Sequence, residues 1–310
     1  MKNQPGRIDF QRRDFLRIAC VGGGSLLLPF SGTAAEDAVD VWVLHGSDRV
    51  GLMNECLKII DANGGFGRNV KKLALKVNAA WSRTPELGAT THPELVSTFI
   101  RGAQEAGALR VDVPENPCNR AEQAFTRSGI LDAVEAAGGH MTDLKTQEEH
   151  FVEESIPEGR TLQQAKVARQ FLEADAVVNM PIAKDHRGAT VTMCMKNWMG
   201  AVQDRRFWHR NGLHECIADF SSYIRPAWSI IDATRVMLHR GPQGGQVDFL
   251  KKPDPNLLIV SRDQVAADAY ATRLFDLEPM DVRYLKMARE RRLGETELER
   301  MKVHTIEVPA

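Results

Sequence analysis

The sequence predicts an α/β protein: a mostly parallel sheet flanked by helices, with an irregular insertion or second lobe around residues 185–226. Three observations lead there. Short apolar runs alternate with helical stretches in a β-α-β-α order. Glycines follow the helical stretches at Gly64, Gly65, Gly107, Gly138 and Gly139, where helices end. The run Ala176–Met180 is nearly continuously apolar, as in a strand covered on both faces.

The elements follow in order. Residues 1–35 read as a twin-arginine export signal. Arg12-Arg13-Asp14-Phe15-Leu16-Arg17 gives a basic start, Ile18 to Phe30 a short, glycine-interrupted apolar run, and Ser31 to Ala35 a small-residue cleavage site. That run is too short and broken to span a bilayer, and no later segment is apolar enough to do so. The reading places the mature chain, 36–310, in the periplasm, delivered folded by the twin-arginine machinery. Val39–Leu44, Leu73–Val77, Leu109–Val113, Ala176–Met180, Trp228–Ala233 and Leu257–Val260 read as strands. Val50–Ile60, Pro93–Ala106, Ala121–Ala137, Leu162–Ala174, Gln264–Leu274 and Val282–Glu290 read as helices. Pro93 sits where a first helical turn tolerates proline.

Composition narrows the function. The chain of 310 residues is 43% hydrophobic and 26% charged, enough apolar material for a full core. Its net charge of -1 lacks the basic excess of a nucleic-acid binder. The leader holds five basic and two acidic residues, so the mature chain is more acidic still, at -4. The four cysteines beyond it, Cys56, Cys118, Cys194 and Cys216, have neither Cys-x-x-Cys nor zinc-finger spacing. Buried thiols or an occasional disulfide, a dispersed metal or iron–sulfur site, and a reactive nucleophile all stay open.

Polar residues gather where the predicted strands end, the place where open α/β sheets bind ligands. Lys76 and Asn78 end the second strand. Thr90 and Thr91 open a helix, as an anion site or as caps. Lys184 and His186 follow the strand 176–180. Lys196 and Asn197 lie among Met195, Trp198 and Met199, where a lysine pairs with an anion or snorkels over a core patch. His209, His214 and Asp219 could supply metal ligands or be ordinary helix residues. Asp232 is a carboxylate on an apolar strand and needs a partner there. Gly241 and Gly244 lie in a glycine-rich loop able to approach a ligand closely. The expected roles are catalysis for His186, Asp232 and Lys196, ligand binding for Lys76, Asn78, Thr90, Thr91, Lys184, Asn197, Gly241 and Gly244, and metal ligation for His209, His214 and Asp219.

These strings together resemble the DUF362 family: K-V-N (76–78), T-T-H-P (90–93), E-A-G-A (105–108), N-M-P-I-A-K-D-H (179–186) and K-N-W-M-G (196–200). I-A-D-F (217–220), I-R-P (224–226), I-I-D-A (230–233), H-R-G-P-Q-G-G (239–245) and S-R-D-Q-V-A-A-D-A (261–269) extend the likeness over residues 40 to 275. The resemblance implies a domain of unknown function. Relatives fused to ferredoxin-like modules are described as iron–sulfur proteins, and this sequence shows no such module. Two functions fit: an envelope enzyme acting on an anionic small molecule or with a bound metal or redox cofactor, or a non-catalytic accessory protein for an envelope redox system.

Overall fold

The computed structural model describes residues 38–146, 148–251 and 256–309, so the leader expected at 1–35 lies outside the described residues. The chain opens with strand β1 (Val39–Gly46), helix α1 (Arg49–Ala62), β2 (Lys72–Val77), α2 (Pro93–Glu105) and β3 (Arg110–Glu115). It continues through α3 (Ala121–Arg127), α4 (Ile130–Ala136), β4 (His140–Asp143), β5 (Phe151–Ser155), β6 (Gln164–Ala168) and α5 (Arg169–Glu173). Then come β7 (Ala176–Met180), β8 (Ile182–His186), β9 (Thr190–Thr192), α6 (Cys194–Asn197), α7 (Arg205–Asn211) and α8 (Leu213–Tyr223). The last part holds β10 (Trp228–Met237), β11 (Leu250–Lys251), β12 (Asn256–Ser261), α9 (Gln264–Ala271), α10 (Arg283–Glu290) and β13 (Met301–Val308).

The main sheet runs β13-β1-β12-β10-β7-β2-β3-β4, with β8, β9 and β11 extending from β10. Its pairs are parallel except where β12 meets β1 and β10, β11 meets β10, and β9 meets β8. Alternation along each strand feeds two cores. In β1, Val41 and Val43 enter one core, while Trp42 and Leu44 enter the other. Helices α1 to α4 cover the second face. Helices α5 to α10 cover the first. Helix α1 begins at Asp48, whose carboxylate accepts from the Gly51 amide at 2.7 Å.

The expected strands are all present, and the differences have local causes. The helix expected over 162–174 is β6 followed by the single turn α5. Its helix-forming composition yields to pairing with β5, which sets Val152 opposite Val167 and Phe151 opposite Ala168. The helix expected over 121–137 breaks into α3 and α4 at Gly129, whose φ of 70° ends the first. Segment 185–226 is more regular than expected. It completes the β8–β9 hairpin, then lays α6, α7 and α8 on the sheet and supplies Cys194, Trp198, Trp208, Cys216 and Phe220 to the first core.

Candidate functional site

The carboxyl ends of β2, β3 and β7 converge under α6, and there polar side chains replace core residues. Lys76 and Asn179 face each other across β2 and β7. Lys76, Lys184 and Asn179 are fully buried, and Lys196 is 8% exposed. Apolar neighbours on both sides of α6 draw its lysine inward. The helix is anchored by Asp268 on α9, which accepts from the Cys194 and Met195 amides at 2.6 and 3.0 Å.

One row of hydrogen bonds ties the site together, all in one sense. Lys184 Nζ donates to Asn78 Oδ1 at 3.2 Å, and Asn78 Nδ2 donates to Asn197 Oδ1 at 3.2 Å. Asn197 Nδ2 donates to Asn179 Oδ1 at 2.8 Å, and Asn179 Nδ2 donates to the Cys194 carbonyl at 2.9 Å. Lys184 also donates to the Ala89 carbonyl at 2.6 Å. Thr91 stitches the loop to the sheet: its hydroxyl accepts from the Asn78 amide and donates to the Met180 carbonyl.

The charges do not balance. Lys76 pairs with Glu115 at 2.9 Å, both buried. Glu115 also takes the Ala79 amide at 3.0 Å. A side chain on Gly200 would collide with that pair, its Cβ falling 1.8 Å from Glu115 Oε1, so the K-N-W-M-G string ends in glycine for space. Lys184 and Lys196 have no carboxylate partner among the described residues; the Lys196 ammonium contacts only Met199 Sδ, at 3.4 Å. Burial, reinforced by Lys196, brings the Lys184 ammonium down to about 7. Burial brings Lys196 down to about 8. Burial also lowers Lys76, an effect that Glu115 opposes. Two buried hydroxyls, Thr90 and Thr192, have no hydrogen-bond partner among the described residues. Thr192 stands opposite Lys184 in the β8–β9 hairpin, and Thr90 follows the carbonyl that Lys184 binds. At the rim, Arg205 donates to Cys118 Sγ at 3.0 Å and to the Pro117 carbonyl at 2.9 Å.

Of the expected site residues, Lys76, Asn78, Thr90, Thr91, Lys184, Lys196 and Asn197 come together. His186 is close enough to feel Lys184 and Lys196, but not as a proton carrier. Its Nδ1 accepts from the Gly188 and Ala189 amides, both at 3.0 Å, leaving the ring proton on Nε2. Burial first, then the two lysines, lowers it to about 2, so the ring stays neutral. Asp232 sits elsewhere and is fully engaged. It accepts from the His92 amide at 2.9 Å at the start of α2, and from the Thr234 amide and hydroxyl. Gly241 and Gly244 are set by packing. A Cβ on Gly241 would lie 1.7 Å from the Asp185 carbonyl oxygen, and one on Gly244 would lie 2.5 Å from Met237.

The metal-ligand set does not assemble. Asp219 is a clasp, accepting from the Thr161 and Leu162 amides and pairing with Arg291. His209 stacks on His186 and His214 on Tyr284. No three His, Cys, Asp or Glu side chains are grouped to hold a metal ion among the described residues. The four cysteines are free, and Cys56, Cys194 and Cys216 are buried apart from the exposed Cys118. Among the described residues the donors therefore do not fit a metal or iron–sulfur centre. Glu115 and Arg205 join the site from outside the polar strings of the sequence, while Asn179, Thr192 and Gly200 lie within those strings without an expected role. Strand-end logic applied to Glu115, two residues beyond the predicted strand 109–113, would have found it.

A groove of about 500 Å³ lies at the opposite ends of the parallel strands, between Trp42, Arg225 and Arg262.

The chain is similar to known proteins over most of its length. It is 26% identical over 258 residues to thylakoid-associated protein sll1697 of Synechocystis, covering 78% of this chain and 75% of that protein. It resembles the crystal structure of a Thermotoga maritima protein at 13% identity and a TM-score of 0.46, covering 73% of this chain and 59% of the other. It resembles the lactate racemase apoprotein of Thermoanaerobacterium thermosaccharolyticum at 12% identity and a TM-score of 0.39, covering 66% and 52%. The chain thus spans less than two thirds of the length of either solved structure. No helix among the described residues is long and apolar enough to cross a membrane. The family model described as "Domain of unknown function (DUF362)" matches residues 73–273, more than half of the sequence, and the chain belongs to that family.

Proposed function

We propose that this chain is an exported member of the DUF362 family that binds, and acts on, an anionic small molecule at the three-lysine site. The observation that carries the reading is the pair of buried ammonium groups, Lys184 and Lys196, without a carboxylate partner among the described residues. Desolvating an ammonium costs several kcal/mol, and an unmatched pair persists where a bound anion offsets that cost. Lys184, lowered to about 7, can hold or release a proton near neutral pH, a role His186 and Asp232 cannot fill as they are engaged. The Arg12-Arg13 leader supports export and a periplasmic setting for the site.

The test is thermal unfolding of the wild type, Lys184→Met and Lys196→Met with a panel of small anions. The expected result is a rise in Tm for the wild type that both variants lose. A wild type indifferent to every anion sinks the reading.

The name of the thylakoid-associated relative favours a second reading, a non-catalytic accessory protein beside an envelope membrane. Co-purification of a stable partner by a chain that turns over no anion would select it.

A further inference from the structure

Resting on the anion-binding reading, we infer that the ligand is a small dianion, of phosphate or dicarboxylate type, and that binding it draws protons from solution. Three lysines face one carboxylate: Lys76 is matched by Glu115, while Lys184 and Lys196 are not. A single negative charge would leave one buried ammonium uncompensated. Two neutralise the pair. The remaining hydrogen-bonding capacity points the same way. The Thr90 and Thr192 hydroxyls are buried donors without a partner among the described residues, and they suit an oxyanion, with its several acceptor oxygens, over a halide, while the charge count selects the dianion.

Proton uptake follows from burial. An ammonium buried beside another releases its proton more readily than one in water, and both lysines sit below the ordinary lysine range. A dianion between them restores the charged forms, so the complex holds more protons than the free protein at pH 8. The other charged groups facing the pair do not reverse that sign. Lys76 and Glu115 form an ion pair, and the Arg205 guanidinium at the rim is held by the Pro117 carbonyl. His186, His209 and His214 are all shifted down and neutral at this pH. Cys118, the thiol at the rim, is controlled by Cys118→Ser.

Titration calorimetry on the full chain tests this with inorganic phosphate and malonate as dianions, and acetate and nitrate as monoanions. Each is run at pH 8 in two buffers of different ionisation enthalpy, and repeated at pH 6. The expected result is dianion binding at least about tenfold tighter than monoanion binding, since a second buried charge pair adds to the attraction. With malonate, largely a dianion at both pH values, the buffer dependence should report net proton uptake at pH 8 that shrinks at pH 6; with phosphate, mostly a monoanion at pH 6, uptake is read at pH 8 alone. Cys118→Ser should behave as the wild type, and Lys184→Met with Lys196→Met should abolish both effects. Phosphate preferred over malonate assigns a phosphate-type group, and the reverse a dicarboxylate. Monoanions binding as tightly as dianions, or no proton uptake, overturn this inference and leave the anion site standing. Silence from all four anions removes the site reading itself.

Discussion

The buried carboxylates and the buried lysines of this fold are opposites. Asp219, Asp232 and Asp268 are all fully buried, and each accepts at least three hydrogen bonds or an ion pair. Asp219 fastens the turn before β6 to α8, Asp232 the start of α2 to β10, and Asp268 the start of α6 to α9. Lys184 is as deep and Lys196 nearly so, yet neither has a carboxylate partner among the described residues. A buried polar residue signals a ligand only when the protein has not already satisfied it. The acids are internal fastenings, and the lysines form the proposed anion site.

The strongest way to break the comparison is to remove a fastening. Asp219→Ala leaves Arg291 facing a void in a partly buried position, and should lower the unfolding free energy by about 3–5 kcal/mol in chemical denaturation. A loss no larger than that of a surface substitution would erase the distinction. Lys184→Met and Lys196→Met should do the reverse. Each removes a buried charge without a carboxylate partner, so at pH 7 Lys196→Met should hold or gain up to a few kcal/mol, Lys184→Met should gain less because it strands Asn78 Oδ1 and the Ala89 carbonyl, and both should lose anion binding.

The sign of the pH dependence sharpens this. Both lysines have folded pKa values, about 7 and about 8, below the ordinary lysine value of 10.5. The unfolded chain therefore binds more protons from about pH 7 up to the ordinary lysine value of 10.5, and stability rises with pH across that window. The rise should flatten in the double methionine variant, and denaturant midpoints measured at three pH values would show it. A smaller effect concerns the hydrogen-bonded row. Asn197→Asp removes the donor to Asn179 and sets two acceptors against each other, costing about 1–3 kcal/mol. The smallest concerns Cys118. Iodoacetamide should label it before Cys56, Cys194 or Cys216 and move stability by under about 0.5 kcal/mol, read by mass spectrometry and melting.

What could be read in the sequence divides along the same line. Strands with continuous apolar character, such as Leu73–Val77 and Ala176–Met180, were legible because burial on both faces writes itself into residue type. So were the strings carrying Lys76, Lys184 and Lys196, since lysines beside Met, Trp and Pro at strand ends are conspicuous. Strand β8 was not legible, because Lys184, Asp185 and His186 are poor strand formers held there by pairing with β10 and β9. Strand β6 looked helical for the complementary reason: Gln164 to Ala168 favours a helix until β5 pairs with it. Asp219 and Asp232 read as candidates in the sequence because it reveals a carboxylate among apolar neighbours without revealing that Arg291 or Thr234 will meet it.

The row from Lys184 to the Cys194 carbonyl can run in only one direction. Its far end is a carbonyl, which only accepts, so no amide along it can reverse without stranding the next. Lys184 meets it with a donated hydrogen that it keeps even as a neutral amine. Proton loss at Lys184 therefore changes the charge of the site without redrawing its shape. In evolutionary terms the two properties are separable. A descendant could exchange lysines to suit a ligand of different charge while inheriting the asparagine framework untouched, or keep the charge and lose the framework only by replacing several residues at once.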